Sequence, residues 1–223
     1  MIKGVIFDID GTLLDSMPIW EDLSTRCLLR HGITPTPGLS REMFTMTMME
    51  GVRYIKEKYD MPETVDALYQ ECTEDAEKFY REEAQLKPGA MAILQELHKK
   101  GIPMVLATSG NRHLQGMAMA RLHTTDLFQA VLVCEEEGMD KNSPDIYLKA
   151  ADIMHTKPCE TVVCEDAWHG IHSAHKAGFK VCAVEDPSDL VDRDKIVQEA
   201  DAYIGNLQEL NKYLDIWNEI PGK

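Results

Sequence analysis

Apolar positions in the second part of the chain alternate between two patterns. Ile102–Ala107, Ala130–Cys134, Thr161–Cys164 and Lys180–Val184 are short, nearly continuous apolar runs with the length and β-branched content of buried strands, and Ala202–Ile204 is a shorter one. Between them, Ala90–Lys100, Arg112–Leu122, Asp145–His155 and Trp168–Ala177 have helical spacing. In the first of these, Ala90, Leu94 and Leu97 share a face, lysines fill the last turn and Gly101 supplies a stop. Strands spaced by helices of this length predict parallel βαβ units, hence an α/β fold with a doubly wound parallel sheet. The apolar start Gly4-Val5-Ile6 adds a strand at the N-terminus.

From Met17 to Gln85 the pattern changes. Ile19–His31, Arg41–Tyr59 and Glu63–Glu83 read as consecutive helices with no strand between them. The expected organisation is an α/β core of residues 1–16 and 86–223, interrupted by an all-helical domain at 17–85 and resumed near Lys87-Pro88-Gly89. Within the insert, EMFTMTMME carries Met43, Met46, Met48 and Met49. Methionines of this kind either fill a core flexibly or offer an adaptable surface to a substrate.

Charge narrows the function classes. Lys and Arg total 23 against 38 Asp and Glu, a net charge of −15, which repels nucleic acid and anionic membranes. An anionic substrate would then need a local cationic site. The six cysteines form no CxxC pair and mostly lie in apolar runs, as expected of buried reduced thiols. No leader-peptide pattern opens the sequence, and no apolar stretch reaches the roughly 20 residues of a membrane helix. A cytoplasmic protein with no membrane or nucleic-acid partner is expected, as a monomer or weak homodimer.

The candidate chemistry sits at strand ends. In FDIDGTLLDS, Asp8 and Asp10 are two positions apart, and would share one side if the strand stayed extended that far. Ligands of open α/β sheets bind outside that end. Thr108-Ser109-Gly110-Asn111 follows the next predicted strand and offers hydroxyls and amides to an anion, or simply an N-cap. Glu165-Asp166 follows a third strand, and Lys141 lies in the intervening DKNSPD run. Carboxylates from two strand ends suit Mg²⁺, an oxygen-seeking cation that often bridges to phosphate. Such an ion beside a lysine would keep a nucleophilic aspartate charged and attract a phosphoryl group. His169, His172 and His175 step around a helix by threes and do not converge on a metal.

Four ordered segments, FDIDGTLLDS, VLATSGN, Lys141 with the following SPD, and CEDAWHGI, resemble the motifs of the haloacid dehalogenase superfamily, over a span from Val5 to about Val184. The resemblance implies a Rossmann-like core with a helical cap, as in the phosphoglycolate phosphatase and β-phosphoglucomutase branch. It implies that Asp8 attacks phosphorus and that Asp10 is the general acid and base. Asp8 and Asp166 would hold Mg²⁺ by side chain and Asp10 by its backbone carbonyl, with Glu165 ordering metal-bound water. Thr108, Ser109 and Lys141 would bind the phosphoryl group and Thr12 would brace the turn. The expected reaction is hydrolysis of a small phosphorylated metabolite through an aspartyl-phosphate. A sugar-phosphate mutase is the alternative enzyme, although Trp20 stands where those mutases carry histidine; a non-catalytic binding protein is the alternative outside the enzymes. Lys141 is followed by Asn142 where the superfamily usually has proline.

Overall fold

The computed structural model describes residues 1–43, 46–189 and 191–219. The chain opens with β1 (Gly4–Phe7), turns, and adds the short β2 (Leu14–Asp15). Four helices follow: α1 (Met17–Arg30), α2 (Leu39–Met43), α3 (Met48–Lys58) and α4 (Val65–Lys78), the last continued by a π-helical turn at Phe79–Glu83. β3 (Gln85–Leu86) then pairs antiparallel with β2, so the chain leaves and returns on adjacent strands.

Beyond β3 come α5 (Ala90–Lys99), β4 (Met104–Thr108), α6 (Arg112–Arg121), β5 (Ala130–Val133) and α7 (Cys134–Glu137). The remaining elements are α8 (Asp145–Ile153), β6 (Thr161–Glu165), α9 (Trp168–Lys176), β7 (Lys180–Val184), α10 (Arg193–Glu199), β8 (Ala202–Ile204) and α11 (Leu210–Glu219). Contacts divide the chain into two units, Met1–Asp15 with Gln85–Lys223, and Ser16–Ala84. Both crossings fall one residue before the predicted ones.

The first unit holds a six-stranded sheet in the order β5-β4-β1-β6-β7-β8, with all neighbours parallel. After β1 the chain builds β4 and β5 on one side, then crosses to build β6, β7 and β8 on the other. β1 therefore lies at the point where the winding reverses, where open α/β sheets place their ligands. Register does the rest. Phe7 pairs with Leu106 and with Cys164, so the residues after these positions emerge along one edge. Ile6, Val105, Val163 and Val181 are fully buried in the layer that also packs Ile146, Tyr147 and Ile171. At about 2 kcal/mol for each large buried side chain, that layer fixes the edge firmly.

The second unit has its own core of Cys27, Leu28, Leu39, Val52, Ile55, Met61, Leu68 and Cys72. Met43 and Met48 pack against it, and Met46 and Met49 are half-buried. The helix predicted at Arg41–Tyr59 is in fact two. Thr47 is extended and starts α3 with a reciprocal cap: its hydroxyl accepts from the Glu50 amide at 3.3 Å, and Glu50 Oε2 accepts from the Thr47 amide at 2.8 Å. Residues 44 and 45 of that predicted helix lie outside the described residues, as do positions 220–223 of the predicted core.

Smaller departures have local causes. Cys134 opens α7, so the strand predicted to include it stops at Val133, whereas β6 runs one residue further than expected and takes in Glu165. All six cysteines are free thiols, and Cys159 is exposed where buried thiols were expected. Among the described residues no helix is long and apolar enough to cross a membrane.

Candidate active site

The buried edge of the sheet gathers charge. Asp8 directly follows β1, and its amide donates to the Cys164 carbonyl of β6 at 3.0 Å. Asp8, Glu165 and Asp166 are all buried, and each offers a carboxylate oxygen within 4.8 Å of the others. Lys141, 3% exposed, reaches them from the loop before α8. Its ammonium donates to Asp8 Oδ1 and, at 2.8 Å, to Glu165 Oε1. The Ser173 hydroxyl of α9 donates to the Lys141 carbonyl at 2.7 Å and steadies that loop. Tyr147 donates to Glu165 Oε1 at 3.3 Å.

Three carboxylates thus face one ammonium, leaving two negative charges in excess if all ionise. Glu165 and Asp166 resist that state. Burial, together with the Asp8 charge, pushes the Glu165 carboxyl up to about 8. Burial, then Glu165 and Asp8, raise Asp166 well above the usual carboxylate range, against the hydrogen bond from Thr12. For Lys141 burial alone would lower the ammonium, but Asp8 and Glu165 outweigh it and hold the group well above its ordinary value.

The cluster fits a hard divalent cation. Its donors are all oxygen, its charge excess matches, and Glu165 Oε2 is buried with no hydrogen-bond partner. Thr12 donates to Asp166 Oδ1 at 2.8 Å and so orients one of the carboxylates.

The extended geometry that would put Asp8 and Asp10 on one side does not persist to Asp10. β1 ends at Phe7, and the chain curls into a turn in which Leu13 and Leu14 both donate to the Ile9 carbonyl. The Asp10 side chain is not part of the carboxylate cluster. Its Oδ2 accepts instead from Gln115 Nε2 of α6, at 2.7 Å. The same amide nitrogen donates to Thr108 Oγ1 at 2.8 Å, which also accepts from the Gly110 amide at 3.0 Å. Thr108 is buried, while Ser109 is exposed and turns its hydroxyl to Cys134 Sγ at 3.5 Å. Asn111 caps α6, its Oδ1 accepting from the His113 and Leu114 amides.

The structure therefore brings Asp8, Lys141, Glu165, Asp166 and Thr12 together directly, and links Asp10 to Thr108 through Gln115. Gln115, Tyr147 and Ser173 escape sequence reasoning. The one signal for Gln115 is a long polar side chain among Leu114, Ala118 and Met119 on the buried face of α6. His172 and His175 face Glu199, at 2.7 and 3.6 Å, and among the described residues they belong to no group that could hold a metal.

A model of the haloacid dehalogenase-like hydrolase family matches residues 5–184. Over 189 residues the chain is 32% identical to hexitol phosphatase A of Escherichia coli (strain K12), covering 84% of this chain and 85% of that protein. Over 182 residues it is 27% identical to a phosphorylated carbohydrates phosphatase of Thermotoga maritima, covering 80% and 83%. Among solved structures, a candidate β-phosphoglucomutase from Thermotoga maritima aligns with a TM-score of 0.84 at 23% identity, over 96% of this chain and 99% of that one. That last likeness concerns the fold alone.

Proposed function

Because this chain belongs to the haloacid dehalogenase-like hydrolases, we propose that it is a Mg²⁺-dependent phosphatase of a small phosphorylated metabolite, acting through an aspartyl-phosphate on Asp8. The observation that carries this reading is the buried meeting of Asp8, Glu165 and Asp166 with Lys141 at the sheet's reversal point. A sugar or polyol phosphate is the favoured class, supported by the relatives named for hexitol and carbohydrate phosphates.

Asp8 and Asp166 would hold the cation by their carboxylates and Asp10 by its backbone carbonyl, with Glu165 beside them to order its water. When bound, Mg²⁺ supplies positive charge against the phosphoryl oxygens. Lys141 orients Asp8 through its ammonium contact with Oδ1. An Asp8 oxygen forms a bond to phosphorus as the bond from phosphorus to the leaving oxygen breaks. Asp10, protonated, gives its proton to that oxygen. In the second half, Asp10 takes a proton from water, the water oxygen bonds to phosphorus, and the acyl oxygen–phosphorus bond breaks. Asp8 returns as a carboxylate and inorganic phosphate departs. The Thr108 hydroxyl, the Ser109 amide and Lys141 hold the phosphoryl oxygens as charge shifts among them.

The helical unit Ser16–Ala84 takes the part of a cap that selects the leaving group. Its insertion just after the Asp8 turn, with both crossings paired as β2 and β3, supports this. Six free thiols and the acidic surface favour a reducing, cytoplasmic setting. Phosphate release from p-nitrophenyl phosphate, with and without Mg²⁺, tests the reading. Turnover that needs the cation and disappears in Asp8→Asn is expected; turnover equal in Asp8→Asn contradicts it.

A further inference from the structure

We infer that Gln115 is a positioning residue that couples the general acid to the phosphoryl-binding hydroxyl, and this rests on the phosphatase reading above. Its Nε2 sits between two acceptors, Asp10 Oδ2 at 2.7 Å and Thr108 Oγ1 at 2.8 Å, which belong to different strand ends. Gln115 is 2% exposed; its bond to Thr108 is buried away from water, and its bond to Asp10 is partly buried.

While Asp10 is ionised, the amide is held one way round. Turned over, its oxygen would meet the Asp10 carboxylate, acceptor against acceptor. As it stands, Nε2 spends its two protons on the two acceptors, and Oε1 is left buried without a partner. A buried carbonyl without a donor is destabilising. The two bonds made by Nε2 outweigh that.

Two consequences follow for the chemistry. The bond from Gln115 to Oδ2 helps set the orientation of the Asp10 carboxyl. Thr108 Oγ1 already accepts from Gln115 and from the Gly110 amide, so its own proton is directed elsewhere, toward an incoming acceptor such as a phosphoryl oxygen. Gly110 protects the arrangement. A Cβ there would lie 2.1 Å from Gln115 Nε2 and 2.7 Å from Asp10 Oδ2. A side chain at 110 would displace both groups at once.

A loosened general acid matters most when the leaving group is poor. The test compares kcat/KM for p-nitrophenyl phosphate and phenyl phosphate, which share a shape but differ in the basicity of the departing phenoxide. Gln115→Met keeps length and apolar volume while removing both donated bonds, and Gly110→Ala attacks the same contact from outside. Each variant is expected to lose a few-fold on p-nitrophenyl phosphate, through Thr108, and about tenfold more on phenyl phosphate, through Asp10. Melting curves alongside wild type establish that each variant folds. Equal losses on the two substrates, a larger loss on the nitrophenyl ester, or no loss would overturn the role of Gln115. Wild-type protein that cleaves neither ester with Mg²⁺ would instead overturn the phosphatase reading, and this inference with it.

Discussion

Gly11 touches Asp166 more closely than any side chain would permit: a Cβ on Gly11 would lie 2.1 Å from Asp166 Oδ2. Gly11 also has φ +78°, a left-handed conformation that favours glycine. The glycine of the first motif therefore does two things. It lets the chain turn after Asp10, and it leaves room for a carboxylate arriving from β6. Gly11→Ala should displace Asp166 and weaken divalent-cation binding about 10- to 100-fold. Backbone strain should cost a further 1–2 kcal/mol or so in stability. Calorimetric titration with Mg²⁺ and denaturant unfolding measure the two effects separately.

The proposed role of Lys141 separates catalysis from cation binding. The ammonium is shared between Asp8 and Glu165, and all three groups are buried. Lys141→Met should lower kcat by about 10²- to 10³-fold, as loss of a preorganised charge in a dry site does. The carboxylate oxygens remain, so Mg²⁺ should still bind in a calorimetric titration. Loss of cation binding with kcat intact would reverse the assigned roles.

The helical unit carries its own pH dependence. His31 of the α1 C-terminus contacts Glu71 Oε2 at 3.0 Å through Nε2 and Glu63 Oε1 at 3.1 Å through Nδ1. The hydrogen bond with Glu71 raises the imidazole above its ordinary value, against burial. Burial opposes ionisation of Glu71, but His31 and Arg30 outweigh it and hold that carboxyl below the usual range. A raised histidine contributes stability that is complete below its unfolded value of about 6.5 and is lost as pH climbs through the higher folded value. A depressed glutamate contributes above its unfolded value of about 4.3 and loses that contribution as pH falls through the folded value. The Tm advantage of wild type over His31→Gln should therefore be largest in mildly acidic buffer and shrink above neutrality. An advantage that grows with pH would contradict the assignment.

Much of the charged edge of the sheet was legible in the sequence because it follows from two strong rules. Buried parallel strands read as apolar runs, and their carboxyl ends collect the ligands, so Asp8, Thr108 and Glu165-Asp166 could be located before any coordinates. Asp10 was harder. The strand stops at Phe7, and the turn carries Asp10 away from the carboxylate cluster to Gln115, which sequence spacing alone does not reveal. Gln115 itself is hidden by its own helix, where a polar residue on the buried face looks like an interruption of the pattern. The break between α2 and α3 was invisible for another reason. No glycine or proline marks it, and the Thr47–Glu50 capping box lies inside a run of methionines that reads as one continuous helix. The β2–β3 pairing is two residues on each side, too short for any periodicity to register.

The central claim is that Asp8 carries the phosphoryl group. Borohydride reduction of the protein during turnover of p-nitrophenyl phosphate with Mg²⁺, followed by peptide mass spectrometry, reads this directly. An acyl-phosphate on Asp8 should be reduced to the corresponding alcohol at position 8, and only in the presence of substrate. Steady turnover with Asp8 unmodified, or with the reduced residue elsewhere in the chain, would contradict the account.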